Sequence, residues 1–361
     1  MLKHIHTVKL DTPLALESGK KLDGVEIAVT CFGSLALDKS NVVLVAHALT
    51  GWCDATEWWK GVVGPGCVID TDKYFVVCPN LLGSCYGSTG PESINPATGN
   101  PYRSDFPVIT VRDIARANLL ALRKLGIEQC AIAIGGSMGA MVLLEQAIIE
   151  PQSCKKLVLI ATGASQSAWR IAFSSVVRKT ITSFGTAPEA LQRGLALARQ
   201  LAMTTYRCST EFNTRFGRER VSSEPSEYHD SSNLFEVESY LEHQGRKIVE
   251  RFSPHSYLTL TRAMELHDVG RGRGGDAHDV LASIVAETLV IGIDSDMLYP
   301  ESEVRQLAEA IPQARYQTLN ADCGHDSFLA SSERLVPLLQ AFISGRVKRR
   351  PTTIARRRVA V

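Results

Sequence analysis

The stretch Ala131-Ile-Ala-Ile-Gly135-Gly136-Ser137-Met138-Gly139-Ala140 decides how the chain is read. A short apolar run of strand type leads into Gly-x-Ser-x-Gly, and a helix-like pattern over Met138–Glu150 follows at once. In a strand-turn-helix of this kind the serine sits in a strained conformation, and small flanking residues let strand and helix approach closely. Gly135 and Gly139 stand at those two positions. The competing reading is a glycine-rich turn whose serine merely caps the helix. The two readings differ in what they require elsewhere. A serine hydroxyl is a weak nucleophile until a base takes its proton, and the base must itself be oriented by an acid.

Both partners follow in that order. Asp294-Ser-Asp296 comes after the apolar run Thr288–Ile293, and Cys323-Gly324-His325-Asp326 comes after the weaker run Arg315–Leu319. Spacing alone does not choose between Asp294 and Asp296, one of which could simply cap the helix starting near Glu301. The order Ser, Asp, His is that of the α/β-hydrolase arrangement. Acyl chemistry also needs two backbone N–H groups aimed at a developing oxyanion. Met138, directly after the serine, supplies one candidate. Leu49, in His47-Ala48-Leu49-Thr50-Gly51 after the run Val42–Ala46, supplies the other, with His47 read as a loop-holding residue. His243, His255, His267 and His278 fall in or just after helical patterns and read as surface or satisfied core residues. Gly270-Arg-Gly272-Arg-Gly-Gly275 fits a dinucleotide pattern, but no strand precedes it and no helix opens at its end, so it reads as a link. Glu145, Glu150, Asp276 and Asp279 read as solvated acids.

Further runs at Val25–Phe32, Tyr74–Cys78 and Lys156–Ala161 are short, continuous and rich in Val and Ile, as strands covered on both faces are. Helical patterns at Arg112–Leu125, Glu301–Ile311 and Glu333–Ser344 alternate with them. The expected fold is an α/β-hydrolase fold with a mostly parallel central sheet and an inserted helical lid. The core should comprise 1–164 and 287–345, and the lid 165–286. Lid helices are expected over Trp169–Ile181, Ala187–Thr205, Glu236–Phe252 and Ser256–His267, leaving 346–361 as a basic, disordered tail.

With 361 residues, 45% hydrophobic and 21% charged, the composition is globular. The formal charge is +1, but seven basic residues crowd between Arg346 and Arg358. The remainder is mildly acidic, which speaks against a nucleic-acid partner. Nine scattered cysteines with no C-x-x-C pair suit reduced thiols, a cytoplasmic setting and no metal. No run approaches a membrane span.

Several stretches together resemble the homoserine O-acetyltransferase family. They are His47-Ala-Leu-Thr-Gly51, Trp58-Trp59…Gly64-Pro-Gly66, Leu82-Gly-Ser-Cys-Tyr-Gly87-Ser-Thr-Gly-Pro91, Asn95-Pro-Ala-Thr-Gly99, Gly135–Gly139, Thr205-Tyr-Arg207, Arg215-Phe-Gly-Arg218, Phe235–Leu241 and Gly324-His-Asp326. The similarity runs from about Lys20 to Ala341. It implies acetyl transfer from acetyl-CoA to L-homoserine in methionine biosynthesis, with no bound cofactor, by a homodimer whose lids meet. It further implies Ser137 as nucleophile, Asp296 as acid and His325 as base, with Arg207 on the substrate carboxylate and Asp326 near its ammonium. Ala140, where the family commonly has glycine, the short Trp52–Glu57 segment and the basic tail depart from the pattern. Donor and acceptor preference is therefore open to homoserine or serine O-succinyltransferase and serine O-acetyltransferase alternatives. A serine esterase and a non-catalytic binding module are the remaining readings.

Overall fold

The computed structural model describes residues 2–224, 229–230 and 232–345, so the basic tail lies outside the described residues. Its centre is an eight-stranded sheet of β1 (Lys3–Lys9), β2 (Glu26–Phe32), β3 (Val42–Ala46), β4 (Phe75–Pro79), β5 (Cys130–Gly136), β6 (Cys154–Ile160), β7 (Glu287–Ile293) and β8 (Ala314–Leu319). The spatial order is β1-β2-β4-β3-β5-β6-β7-β8. The pairs β1/β2 and β2/β4 are antiparallel, and every other neighbouring pair is parallel.

Continuous apolar strands need cover on both faces, and the residues divide accordingly. Val42, Leu44 and Ala46 of β3, with Leu157 and Leu159 of β6, enter one core cluster. The alternating Val43, Val45, Val158 and Ile160 enter another. A strand's side-chain period of two makes these the two faces of the sheet. Helices α1 (Val111–Lys124) and α2 (Met138–Ile149) cover the first face. Thr110 and Asp113 close a capping box at the start of α1.

The lid enters after β6. It comprises α3 (Ala168–Thr182), α4 (Pro188–Tyr206), α5 (Ser209–Phe216), α6 (Glu236–Val249) and α7 (Pro254–Glu265). Gly194 lets α4 lie against α3, because a Cβ there would stand 2.1 Å from the Ile181 carbonyl oxygen. The 165–286 span also takes in the short α8 (Ala277–Leu281), and after it come α9 (Glu301–Ala310) and α10 (Ser332–Ile343). Val304 and Leu307 of α9 join the first face, and Leu335 and Leu339 of α10 the second.

The strands and helices expected from sequence stand within a few residues of their observed limits. Three of these elements were not anticipated, the first being α8, five residues capped by Asp276, which opens directly after Gly275 where no helix was expected. The edge strand β1 is exposed at six of its seven positions, so it carries no apolar pattern, and α5 is short and mostly polar. A further expectation needs correction, since Glu145 is not solvated. Its side chain is 2% exposed and receives Arg112 (3.2 Å) and Arg273 (2.6 Å), while Arg112 and Arg271 also bind Glu17. The Gly270–Gly275 link thereby fastens the returning lid to α1 and α2. All nine cysteines are free. Among the described residues no helix is long and apolar enough to cross a membrane.

Candidate active site

Ser137 stands between β5 and α2 at φ 54°, ψ −123°, and its side chain makes no capping hydrogen bond. A non-glycine residue with positive φ is strained, and the strain persists because the surroundings fix it. The Ser137 N–H donates to the Ile160 carbonyl (2.9 Å). A Cβ on Gly139 would fall 2.2 Å from the Ala46 carbonyl oxygen. The elbow reading therefore holds over the capping one. Gly136, a variable position of the motif, has its own reason to be small: a Cβ there would enter the Phe328 ring at 2.4 Å.

The sheet topology brings the C-terminal ends of β5 and β7 and the loop after β8 to one rim. There His325 Nε2 lies 2.9 Å from Ser137 Oγ, and its Nδ1 lies 2.7 Å from Asp296 Oδ2. The other oxygen of Asp296 accepts from the N–H groups of Leu298 (2.8 Å) and Tyr299 (3.0 Å). The choice between the two aspartates is thus resolved by geometry. Asp294 accepts from the Ala321 N–H (3.0 Å), and neither aspartate caps α9, whose N-cap is Pro300. Ser295 Oγ accepts from the Gly324 N–H (3.0 Å), so all three residues of Asp294-Ser-Asp296 hold the histidine loop. Burial pulls His325 down. The Asp296 charge and hydrogen bond, with help from Asp326, outweigh it and leave the histidine above its ordinary value.

His47 is fully buried. Its Nδ1 is 2.8 Å from the Ala48 carbonyl, and its Nε2 accepts from the Leu81 N–H (3.2 Å). It braces the 47–51 loop, as its reading from sequence had it, and burial lowers it to about 4. Met138 opens α2, so its N–H is one of those at a helix start with no intrahelical acceptor. Leu49 lies in the wall of a cavity of about 220 Å³ that also includes Ser137, His325 and Asp326.

Arg207 caps the C-terminal end of α4 and is not part of that wall. Its Nε lies 3.4 Å from Asp326 Oδ2 without a hydrogen bond, and its Nη1 donates to Glu211 Oε1 (3.0 Å). The two predicted substrate-binding residues are therefore an ion pair, with only Asp326 facing the cavity. Sequence reasoning missed the other cations of the wall, Arg170, Arg199 and Arg251. Arg199 lies over the Tyr206 ring at 5.3 Å, and Arg251 donates to the Thr50 carbonyl (2.7 Å). Neither has a carboxylate partner among the described residues. Nothing in local sequence separates them from surface arginines of a lid.

A strained serine after the fifth strand, hydrogen-bonded to a histidine that an aspartate orients, beneath a helical lid, defines a class of protein. The α/β hydrolase fold family matches residues 41–331, in agreement. A homoserine O-acetyltransferase of Trichormus variabilis is 42% identical over 340 residues, covering 92% of each chain. Among solved structures, a homoserine O-acetyltransferase from Staphylococcus aureus is 29% identical at TM-score 0.79, covering 97% of this chain and 98% of its own. A crystallised esterase is 25% identical at TM-score 0.84, covering 95% and 100%. The chain belongs to the homoserine O-acetyltransferase family.

Proposed function

We propose that the protein transfers an acetyl group from acetyl-CoA to the side-chain hydroxyl of L-homoserine through an acetyl-Ser137 intermediate. The observation that carries this reading is the hydrogen-bonded chain Ser137–His325–Asp296 opening on a lidded cavity beside the Asp326–Arg207 ion pair. Neutral His325 takes the Ser137 proton as Oγ attacks the thioester carbonyl. The tetrahedral oxyanion is held by the N–H groups of Met138 and Leu49, and CoA leaves with the proton. Homoserine then enters. A zwitterion suits a carboxylate and a guanidinium already side by side, because Asp326 exchanges Arg207 for the substrate ammonium while Arg207 takes the substrate carboxylate. His325 removes the hydroxyl proton, and the second collapse restores free Ser137 and releases O-acetylhomoserine.

Arg199 and Arg251 support a polyanionic donor, since they leave positive charge on the cavity wall. No metal or bound cofactor enters the scheme. The apolar side chains that α3 and the turn after it expose, Trp169, Val176 and Phe184, suit a second copy of the lid, and we propose a homodimer. Nine free thiols suit a cytoplasmic setting, and the relationship to homoserine O-acetyltransferases supports a place in methionine biosynthesis.

The test is acetyl-CoA or succinyl-CoA against homoserine, serine or water, with products followed by mass spectrometry. O-acetylhomoserine should dominate. Product only from succinyl-CoA or serine would move the protein to a sister specificity, and acceptor-independent hydrolysis would make it an esterase like its structural neighbour. A Ser137→Ala variant that still formed an acetyl adduct would refute the nucleophile, and failure of the parent enzyme to react with a fluorophosphonate would favour a binding module.

A further inference from the structure

Arg170, in the first turn of α3, is 5% exposed, and its guanidinium is used on several sides. Nε donates to Gln166 Oε1 (2.6 Å). Nη1 donates to the Leu298 carbonyl (3.1 Å) and to Glu303 Oε2 (2.6 Å), and Nη2 to the Ser165 carbonyl (2.9 Å). The guanidinium carbon lies 4.4 Å from the centroid of the Tyr299 ring. The same ring stacks on His325, with centroids 5.2 Å apart and planes at 25°. Leu298 and Tyr299 are also the residues whose N–H groups fix Asp296. A single lid side chain thus grips the loop that orients the acid and covers the ring that supports the base.

We infer that Arg170 is a positioning residue for His325, coupling the docked lid to the geometry of the base. The inference rests on His325 being the base of the proposed reaction. Lysine could not replace the arginine fully, because only a planar fork bonds two carbonyls, a carboxylate and an amide while lying on a ring.

The charge of Arg170 has a second effect, because a cation near the imidazole disfavours imidazolium. Around His325, Asp296 and Asp326 act in the opposite sense, Arg207 is paired with Asp326, and Glu303 offsets part of Arg170. Tyr206 and Tyr299 are both pushed up by burial and stay neutral. Across the tyrosine ring, with Glu303 attached, Arg170 pulls His325 down.

The experiment measures kcat, KM and the pH profile of kcat/KM for Arg170→Gln, Arg170→Lys and Glu303→Gln in the full-length enzyme. Arg170→Gln should lower kcat about 10- to 100-fold with KM changed less than threefold, and raise the acid-limb midpoint. Arg170→Lys should lose kcat but keep the parent midpoint. Glu303→Gln alters a partly exposed side chain and gives a folded control should Arg170→Gln fail to fold. It should move the midpoint down, because Arg170 is then less neutralised. Loss of stability or rate with every midpoint unmoved would overturn the inference. A parent enzyme that acylates no acceptor would instead overturn the function on which it rests.

Discussion

Replacing Asp296 by asparagine tests the proposed machinery most sharply, because the structure dictates which way the amide must face. The carboxylate has two jobs on two oxygens. Oδ1 accepts from the Leu298 and Tyr299 N–H groups, and Oδ2 accepts from His325 Nδ1. In Asp296→Asn the amide oxygen must stay on the two N–H groups, which turns its NH2 toward Nδ1. That nitrogen then becomes an acceptor, so the ring proton moves to Nε2, where it points at Ser137 and blocks proton removal. Recovering the working tautomer requires flipping the amide, which sets its NH2 against two backbone donors. Two buried hydrogen bonds are lost at about 1–3 kcal/mol each. At about 1.4 kcal/mol per tenfold, the competent form is populated at roughly 10⁻² to 10⁻⁴. The expected result is a fall in kcat/KM of about 10²- to 10⁴-fold in both acetyl transfer and hydrolysis of an activated acetyl ester, with fluorophosphonate labelling slowed in parallel. The thermal midpoint should change little, since shape and the two backbone bonds persist. Activity within tenfold of the parent would refute the assignment of His325 as base with Asp296 as its orienting acid.

Three further outcomes follow from the same arrangement of residues. Because His325 is held above its ordinary value of 6.5 and must be neutral to act, kcat/KM should fall as pH drops through a midpoint above 6.5; an acid limb near 5 would contradict the Asp296 interaction. His47 and His267 are both lowered by burial to about 4, so the unfolded chain binds more protons than the folded one between 6.5 and 4. Their stabilisation is complete above 6.5 and should fade as pH falls, by up to about 3 kcal/mol each, seen as a lower urea midpoint at pH 4.5 than at pH 7; His325 works in the opposite sense. Arg207→Ala should leave acetylation of Ser137 by acetyl-CoA within about threefold, yet lower kcat/KM for homoserine by about 100-fold or more, in rapid-quench assays of each half-reaction. Equal loss of both half-reactions would rule out a carboxylate role.

What sequence carried and what it did not divides along contact range. The runs at Val42–Ala46 and Thr288–Ile293 are legible because a strand buried on both faces must be apolar at consecutive positions. The Ser137 elbow is legible because Gly-x-Ser-x-Gly between a strand run and a helix pattern is a local signature, although the backbone that keeps Gly139 small is the Ala46 carbonyl of β3. The order of acid and base could be read from the motif and the family resemblance pointed to Asp296, but spacing left Asp294 open, and the physical reason for the choice lies in the contacts after β7 and β8. Gly136 needs to be small because of Phe328, and Glu145 is buried because Arg112 and Arg273 reach it; no local pattern announces a partner that far along the chain. Arg170 is the extreme case. It sits in an amphipathic lid helix where an arginine usually faces solvent, and only the docking of that helix on the β7 loop gives it a role.

The esterase neighbour at TM-score 0.84 shows that fold alone does not choose between hydrolysis and transfer. Any acetyl-serine beneath an oxyanion hole can be attacked by water or by an alcohol, and the same histidine serves both. The outcome depends on which nucleophile is held in line. Here the cavity places a carboxylate, Asp326, immediately after the base and an arginine behind it, a pair that water cannot use and an amino acid can. Fixing the acceptor hydroxyl converts its attack from a bimolecular to an effectively unimolecular step, an advantage that effective molarities far above the concentration of bulk water make sufficient. The lid acts on the other side of the same competition by limiting access of water. On the proposed reading, transfer specificity on this scaffold comes from the Asp326–Arg207 ion pair and the lid. In Arg207→Ala, where the donor half-reaction survives and the acceptor grip does not, the acetyl-enzyme should be released to water.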